Sequence, residues 1–156
     1  MLKETFVSLA LSYINFPAVN YSGQFNGTSP KDGFDCSGFV NFLLEQAKYP
    51  DKVPRHANQL FDSFGILIHE QFRDLGDLIF FSNRGGTYPD HVGIMISKDE
   101  YIHSPGRNGK VVCVDIFKQE IIQPINKKPQ IYFSNPIGIK RITVNNGRYQ
   151  QLFFHE

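Results

Sequence analysis

Apolar residues recur at helical spacing near the start of the chain, and the pattern later changes to short strand-like runs. One side of a first helix would carry Phe6, Val7, Leu9, Ala10, Tyr13 and Ile14. This spacing predicts an amphipathic helix that stops near residues 15–17. Residues 21–33, which are rich in Gly, Ser, Asn and Pro, are typical of a loop.

A second amphipathic stretch follows this loop. It is expected to begin at Asp35 or Cys36, because aspartate is a favoured N-cap residue and the apolar pattern starts directly after it. Its apolar side is formed by Phe39, Val40, Phe42, Leu43 and Leu44. A short third helix fits residues 55–64.

Beyond the third predicted helix, the chain carries short β-branched or aromatic runs separated by Gly, Asn and Pro turns. The predicted strands span residues 78–81, 91–96, 101–103, 110–116, 131–133 and 137–142. Helices first and strands afterwards indicate an α+β fold with an antiparallel sheet. Residues 143–156 are interpreted as a tail or a final edge element, whose apolar end docks on the body or on a partner.

Length and charge narrow the class of protein. The 156 residues fit a single domain spanning 1–156, and a net charge of +1 without a dense basic run gives no case for binding nucleic acid. No segment has the length and apolar character of a membrane span, and the N-terminus lacks the apolar core of a secretory signal. We therefore expect a cytoplasmic protein, or one exported to the cell wall by a non-standard route.

The two cysteines have different surroundings. They lack the close spacing of zinc ligands, so we interpret both as free thiols and expect no metal. Cys113 lies inside an apolar run and is predicted to be a packed structural residue. Cys36 stands at a helix start, where backbone N–H groups and the helix dipole lower a thiol pKa and can hold an oxyanion. Cys36 is therefore a candidate nucleophile, the alternative being a small cysteine packed in the core.

Two histidines are predicted to share one face of the sheet. Alternation along the strand separates His91 from Val92, and His103 follows in the next predicted strand. His91 and His103 lie on one face only if the hairpin near residues 97–100 has a connection with an odd number of residues, or a bulge. We therefore predict one of these two features. One imidazole would then take the thiol proton while the other orients it, the alternative being ordinary hydrogen-bonded histidines. His56 is interpreted as a surface residue that could line a groove.

Five motifs in this order resemble the NlpC-type cell-wall cysteine peptidases, a papain-like family. They are Gly33-Phe34-Asp35-Cys36-Ser37-Gly38-Phe39, Val53-Pro54-Arg55 with Gln59, Gly76-Asp77-Leu78-Ile79-Phe80-Phe81, His91-Val92-Gly93-Ile94 and Tyr101-Ile102-His103. The resemblance covers residues 21–142. It implies N-terminal helices packed on a central antiparallel sheet of about five to six strands, with Cys36, His91 and His103 as the catalytic residues.

The resemblance also implies a substrate and its contacts. The substrate would be the stem peptide of peptidoglycan, cut through a thioester between D-glutamate and a diamino acid or at a related amide, with no cofactor. Tyr21, Ser37 and Arg55 are implied as substrate-binding residues, and Arg55 would meet a carboxylate through a bidentate contact. A surface salt bridge is the alternative for Arg55. Asp77 is interpreted as shaping the turn into a strand.

Two departures from the family pattern leave the exact substrate open. The approach to Cys36 looks longer than usual, and residues 82–90 add a polar Gly-Gly loop directly before His91. The same Cys-His pair would also serve a thiol acyltransferase or a deamidase, including an exported toxin with an immunity or secretion partner. A non-catalytic binding module on the same fold is the third hypothesis.

Overall fold

The computed structural model describes residues 1–18, 27–82, 86–105, 109–116, 120–125, 128–132, 136–145 and 147–155, with the backbone alone for 120–125 and 128–132. The helices are α1 (Lys3–Leu11), α2 (Cys36–Gln46) and α3 (Ala57–Ser63), with a 3₁₀ turn at Glu70–Phe72. The strands are β1 (Thr28–Ser29), β2 (Gly33–Phe34), β3 (Ile66–Ile68), β4 (Leu78–Phe81), β5 (His91–Met95), β6 (Glu100–His103), β7 (Val112–Asp115), β8 (Glu120–Ile125), β9 (Lys128–Tyr132), β10 (Pro136–Arg141), β11 (Thr143–Asn145) and β12 (Gln150–Leu152).

A six-stranded antiparallel sheet forms the centre, in the order β3-β10-β4-β5-β6-β7. This confirms the predicted α+β fold and its sheet of five to six strands. The three predicted helices are present, and α1 ends earlier than predicted because the chain turns after Leu11 and Asn15 takes a left-handed φ of 72°. Strand β3 was not predicted, since three residues are too few to display an alternating pattern.

The sheet is buried on both faces. One face packs with α1 and α2 in a cluster that includes Phe6, Phe39 and Leu43 from the helices and Val92 from the sheet. The other face carries a second buried cluster of Ile79, Phe81, Met95, Tyr101, Ile116 and Ile139. Because β4 and β5 are covered on both sides, polar groups on them lie in a water-poor environment and need hydrogen-bond partners.

The hairpin between β5 and β6 has the predicted parity. Ile94 pairs with Ile102 and Met95 with Tyr101, and the backbone N–H of Ile96 donates to the Glu100 carbonyl at 2.9 Å. This register leaves a three-residue connection, 97–99, which confirms the expected odd loop. It continues the ladder so that His103 falls beside Gly93, on the same sheet face as His91.

The C-terminal segment packs on the body of the protein. Strands β11 and β12 pair with each other, the Phe154 ring lies 4.9 Å from that of Phe6, and the Phe153 ring lies 5.0 Å from that of Tyr49. His155 forms a parallel bridge with Leu2, which brings the two ends of the chain together. Across the described ranges, no helix has the length and apolar character needed to cross a bilayer.

Candidate active site

Cys36 is the first residue of α2, and Asp35 caps the helix as predicted. The Asp35 Oδ1 accepts a hydrogen bond of 2.6 Å from the backbone N–H of Gly38. Cys36 is buried, with 6% of its surface exposed, and neither it nor Cys113 forms a disulfide. The thiol therefore sits at the positive end of the helix dipole, in the setting that favours a thiolate.

The first turn of α2 is closely approached by the loop before it. The Gly27 carbonyl accepts from the backbone N–H of Asp35 at 2.8 Å, and a Cβ on Gly38 would overlap that same carbonyl oxygen. Gly27 itself has a left-handed φ of 73°. Glycine at position 38 thus permits this close approach of the Gly27 carbonyl to the first turn of α2.

Arg55 holds the cap of the nucleophile's helix. Its guanidinium donates from Nη1 to the Asp35 Oδ1 at 3.0 Å and from Nη2 to the Asp35 Oδ2 at 2.5 Å. Nη1 also donates to the Ser37 Oγ at 3.0 Å. Arg55 therefore forms an ion pair with Asp35, whose side chain is 15% exposed. The predicted contacts of Arg55 and Ser37 with substrate stay predictions.

His91 and His103 form a buried hydrogen-bonded pair. The Nε2 of His91 lies 2.8 Å from the Nδ1 of His103, and the two residues are 2% and 1% exposed. Burial, with the neighbouring His103 as a second cause, holds the pKa of His91 well below its usual value. His91 is thus neutral near neutral pH and able to accept a proton. Since Nε2 faces His103, proton exchange with a thiol would use Nδ1.

A small cavity joins the start of α2 to the segment that enters β5. It has a volume of about 200 Å³ and is lined by Asp35, Cys36, Ser37, His56, Ala57, Asn58, Tyr88 and Asp90. Helix α2 packs against β5, whose first residue, His91, directly follows Asp90. His56 lines this groove, as suggested from sequence. Tyr88 and Asp90, which come shortly before His91 in the segment expected to depart from the family pattern, line the cavity together with Cys36.

Ser104 is a residue of this region that the sequence reasoning missed. Its hydroxyl donates to the Phe34 carbonyl at 2.5 Å, and both residues have no exposed surface. Its position directly after His103, as a polar residue at the end of an apolar strand, was the available signal. Tyr21, which was predicted to contact substrate, lies outside the described residues.

Asp77 and Cys113 lie away from this cavity. Arg141 donates to both carboxylate oxygens of Asp77 at 2.9 Å, and the backbone N–H of Asp74 donates to the same side chain at 2.8 Å. Burial raises the pKa of Asp77 despite these donors, and its contacts agree with a role in shaping the turn. Cys113 is half-buried in β7, where burial and then the charge of Glu100 raise its thiol pKa. Among the described side chains, no group of three His, Cys, Asp or Glu is placed to hold a metal.

Comparison with known proteins gives a consistent family. The model of the NlpC/P60 family matches residues 20–128. Murein DD-endopeptidase MepH of Escherichia coli is 31% identical over 101 residues, which cover 64% of this chain and 36% of that protein. Gamma-DL-glutamyl hydrolase of Bacillus subtilis is 27% identical over 130 residues, which cover 81% of this chain and 28% of that protein. The chain thus spans about a third of the length of these relatives.

A solved structure extends the similarity to the fold. The crystal structure of a protein of the NLP/P60 family, similar to lipoprotein, from Staphylococcus aureus aligns with a TM-score of 0.63 at 28% identity. The alignment covers 92% of this chain and 42% of that one. The similarity in fold therefore extends over most of the chain.

Proposed function

This chain belongs to the NlpC/P60 family, and from that premise we propose that it is a cysteine peptidase that hydrolyses peptide bonds of peptidoglycan. The relatives matched here are named as a murein endopeptidase and a glutamyl hydrolase, which supports a wall peptide as substrate. The observation that carries the proposal is the buried His91–His103 hydrogen bond on the strand that packs against the helix of Cys36.

In the proposed mechanism, Cys36 attacks the carbonyl carbon of the scissile amide. His91 takes the thiol proton through Nδ1, and the tetrahedral oxyanion is held by backbone N–H groups at the start of α2. His91 then gives that proton to the departing amine, the C–N bond breaks, and a thioester to Cys36 remains. Water attacks the thioester with His91 as base, which releases the acid and restores the thiol.

His103 would act on His91 rather than on the substrate. The hydrogen bond at Nε2 fixes the plane of the His91 ring, and with Nε2–H as the donor to the Nδ1 of His103 it leaves the Nδ1 of His91 to accept a proton. Because both rings are buried, the pair has little room to rotate away from this arrangement. This supports His103 as the third member of the catalytic set.

We further propose that the amide cut joins D-glutamate to a diamino acid, with Ser37 and Arg55 contacting the substrate. The Arg55 side chain is 32% exposed although it binds Asp35, and it lines a neighbouring cavity of about 530 Å³ with Lys52 and Gln59. A substrate carboxylate in that cavity would meet a guanidinium already held in place. Tyr21 is the third proposed contact.

The test is mass spectrometry of defined wall peptides incubated with the wild type, with Cys36→Ala and with Cys113→Ala. Wild type and Cys113→Ala are expected to produce the same new fragments, whose masses name the bond, while Cys36→Ala produces none. Cleavage by Cys36→Ala would contradict the proposed nucleophile. A wild type that leaves every wall peptide intact, although Cys36 alkylates fast, would instead favour acyl transfer or deamidation of another substrate.

A further inference from the structure

We propose that Ser104 is a positioning residue that fixes the strand of His103 to the segment leading into the nucleophile's helix. The inference deepens the proposed function and rests on its roles for Cys36 and His91. Ser104 directly follows His103, and Phe34 stands two residues before Cys36. The bond from the Ser104 hydroxyl to the Phe34 carbonyl, at 2.5 Å, therefore connects the two halves of the site over a sequence separation of 70 residues.

Phe34 is a firm anchor for such a bond. The backbone N–H of Phe34 donates to the Pro17 carbonyl at 3.1 Å, and Phe34 pairs with Thr28 in the ladder of β1 and β2. Its ring has no exposed surface and lies 5.1 Å from the ring of Phe39 in α2. A hydrogen bond to this carbonyl thus fixes its partner relative to the first turn of α2, where Cys36 lies.

The other end of the link is close to the proton-transfer pair. His103 precedes Ser104 by one peptide unit and bonds to His91 at 2.8 Å, so a shift of Ser104 is passed to His103 and then to the His91 ring. The proposed reaction needs thiol, His91 and His103 to stay aligned, and a misplacement of about 1 Å can reduce a rate about 100-fold. A hydroxyl bonded to a buried carbonyl is well suited to prevent that shift, because breaking it leaves both groups unsatisfied.

Removing a hydroxyl with a purely structural role should lower stability without changing the reactivity of Cys36. Tyr49 provides a matched control for that case. The Tyr49 hydroxyl donates to the Thr143 carbonyl at 2.5 Å, which is also a side-chain bond to a backbone oxygen, and Tyr49 does not line the cavity beside Cys36. Tyr49→Phe thus removes a comparable bond outside the proposed catalytic groups, and it calibrates the effect of lost stability alone.

The experiment compares Ser104→Ala with Tyr49→Phe in kcat, KM, Tm and the rate at which iodoacetamide alkylates Cys36, each measured below the unfolding transition. Ser104→Ala is expected to lower kcat about 10- to 100-fold and the alkylation rate about 10-fold, with KM changed less than about 3-fold. Tyr49→Phe is expected to lower Tm by a similar amount and to keep kcat and the alkylation rate. Wild-type kcat and alkylation in folded Ser104→Ala would overturn the proposal.

Ser104→Thr keeps the hydroxyl and is expected to retain most of the alkylation rate. If Ser104→Ala does not fold, this variant decides: a folded Ser104→Thr protein whose Cys36 alkylates as slowly as in His91→Ala would overturn the proposal. The alkylation rate needs no substrate. A wild type that cleaves no wall peptide would therefore count against the proposed function, while the effect of Ser104 on Cys36 reactivity would still be measured.

Discussion

The Nε2 of His91 and the Nδ1 of His103 lie 2.8 Å apart although the two residues are twelve positions apart in sequence. The three-residue hairpin brings them to one face of the sheet, and Gly93 leaves the space between the two strands: a Cβ there would lie 3.4 Å from that of His103 and 2.8 Å from the Tyr101 ring. The pair is therefore a product of the strand register together with one missing side chain.

Removing His103 should affect turnover more than substrate binding. We expect His103→Ala to lower kcat about 10- to 100-fold with KM changed less than about 2-fold, because the His91 ring loses the bond that orients it. His103→Gln, which can still hydrogen-bond to His91, should recover part of kcat. Steady-state kinetics on a defined wall peptide measure both constants. A His103→Ala protein with wild-type kcat would remove His103 from the catalytic set.

The two thiols should differ in reactivity. Cys36 opens a helix that packs against the strand of His91, whereas burial and Glu100 raise the pKa of Cys113 and so reduce its thiolate at neutral pH. Iodoacetamide at pH 7 is expected to label Cys36 at least about 10 times faster than Cys113, as read by peptide mapping. His91→Ala should slow Cys36 alone. Equal, slow labelling of both thiols would favour the non-catalytic binding module.

The buried His91 should make stability depend on pH. Its pKa is held well below the usual value of 6.5, so below pH 6.5 the unfolded chain binds a proton that the folded site does not. The contribution of His91 to the free energy of unfolding is fully present above about pH 6.5. It decreases as the pH falls toward the pKa of the folded state, by at most about 1.4 kcal/mol per pH unit.

Thermal unfolding of the wild type and His91→Gln between pH 7.5 and 5 tests this sign. We expect the Tm of the wild type to fall more steeply than that of His91→Gln as the pH is lowered. Asp77, whose pKa is raised by burial, contributes with the opposite sign, but it is present in both proteins and cancels in the comparison. Parallel Tm curves would show that His91 takes up its proton equally in the folded and unfolded states.

The Asp35–Arg55 ion pair should be sensitive to the shape of the cation. Lysine cannot reproduce the two contacts from Nη1 and Nη2, so Arg55→Lys is expected to cost about 1 kcal/mol of unfolding free energy and to lower kcat. The cost stays modest because a third of the Arg55 side chain is exposed. Asp99→Asn, in an exposed ion pair with Arg73, is the control and should cost less than about 0.5 kcal/mol. Urea unfolding of both variants gives the comparison, and equal costs would count against a specific bidentate pair.

Glycine should be required at position 38. Alanine there places a methyl group against the Gly27 carbonyl, so the loop or the first turn of α2 must move, and we expect a loss of about 1–3 kcal/mol together with most of the activity. Gly86→Ala is the matched control, because a Cβ there meets nothing within 4 Å. It should change stability by less than about 0.5 kcal/mol. Similar unfolding midpoints for the two variants would contradict the close approach.

Local patterns in the sequence were enough for much of the fold and for part of the site. Helix α2 with its cap at Asp35 follows from short-range periodicity, and the parity of the β5–β6 hairpin follows from requiring His91 and His103 on one face. Strand β8 was missed because Pro124 interrupts its pattern and argues against a strand. Local patterns and general sheet rules thus predict elements that are long enough to display a period and contain no such interruption.

Contacts between distant segments could not be predicted. Arg55 reaches Asp35 over 20 residues and Ser104 reaches Phe34 over 70, and each depends on how helices and sheet dock. The resemblance to a family named Arg55 as a substrate contact but did not reveal its bond to the helix cap. Ser104 stood beside a predicted catalytic residue and still carried no signal of its partner.

The three-residue connection between β5 and β6 also limits how this segment can change length during evolution. One inserted or deleted residue would turn His103 to the helix-covered face of the sheet, unless a bulge compensates, whereas two residues would only lengthen the turn. Among related sequences, the number of residues between the two histidines should therefore change only by even numbers. Lengths of this hairpin should then differ by pairs of residues, and an odd difference marks either a bulge or the loss of the His91–His103 pair.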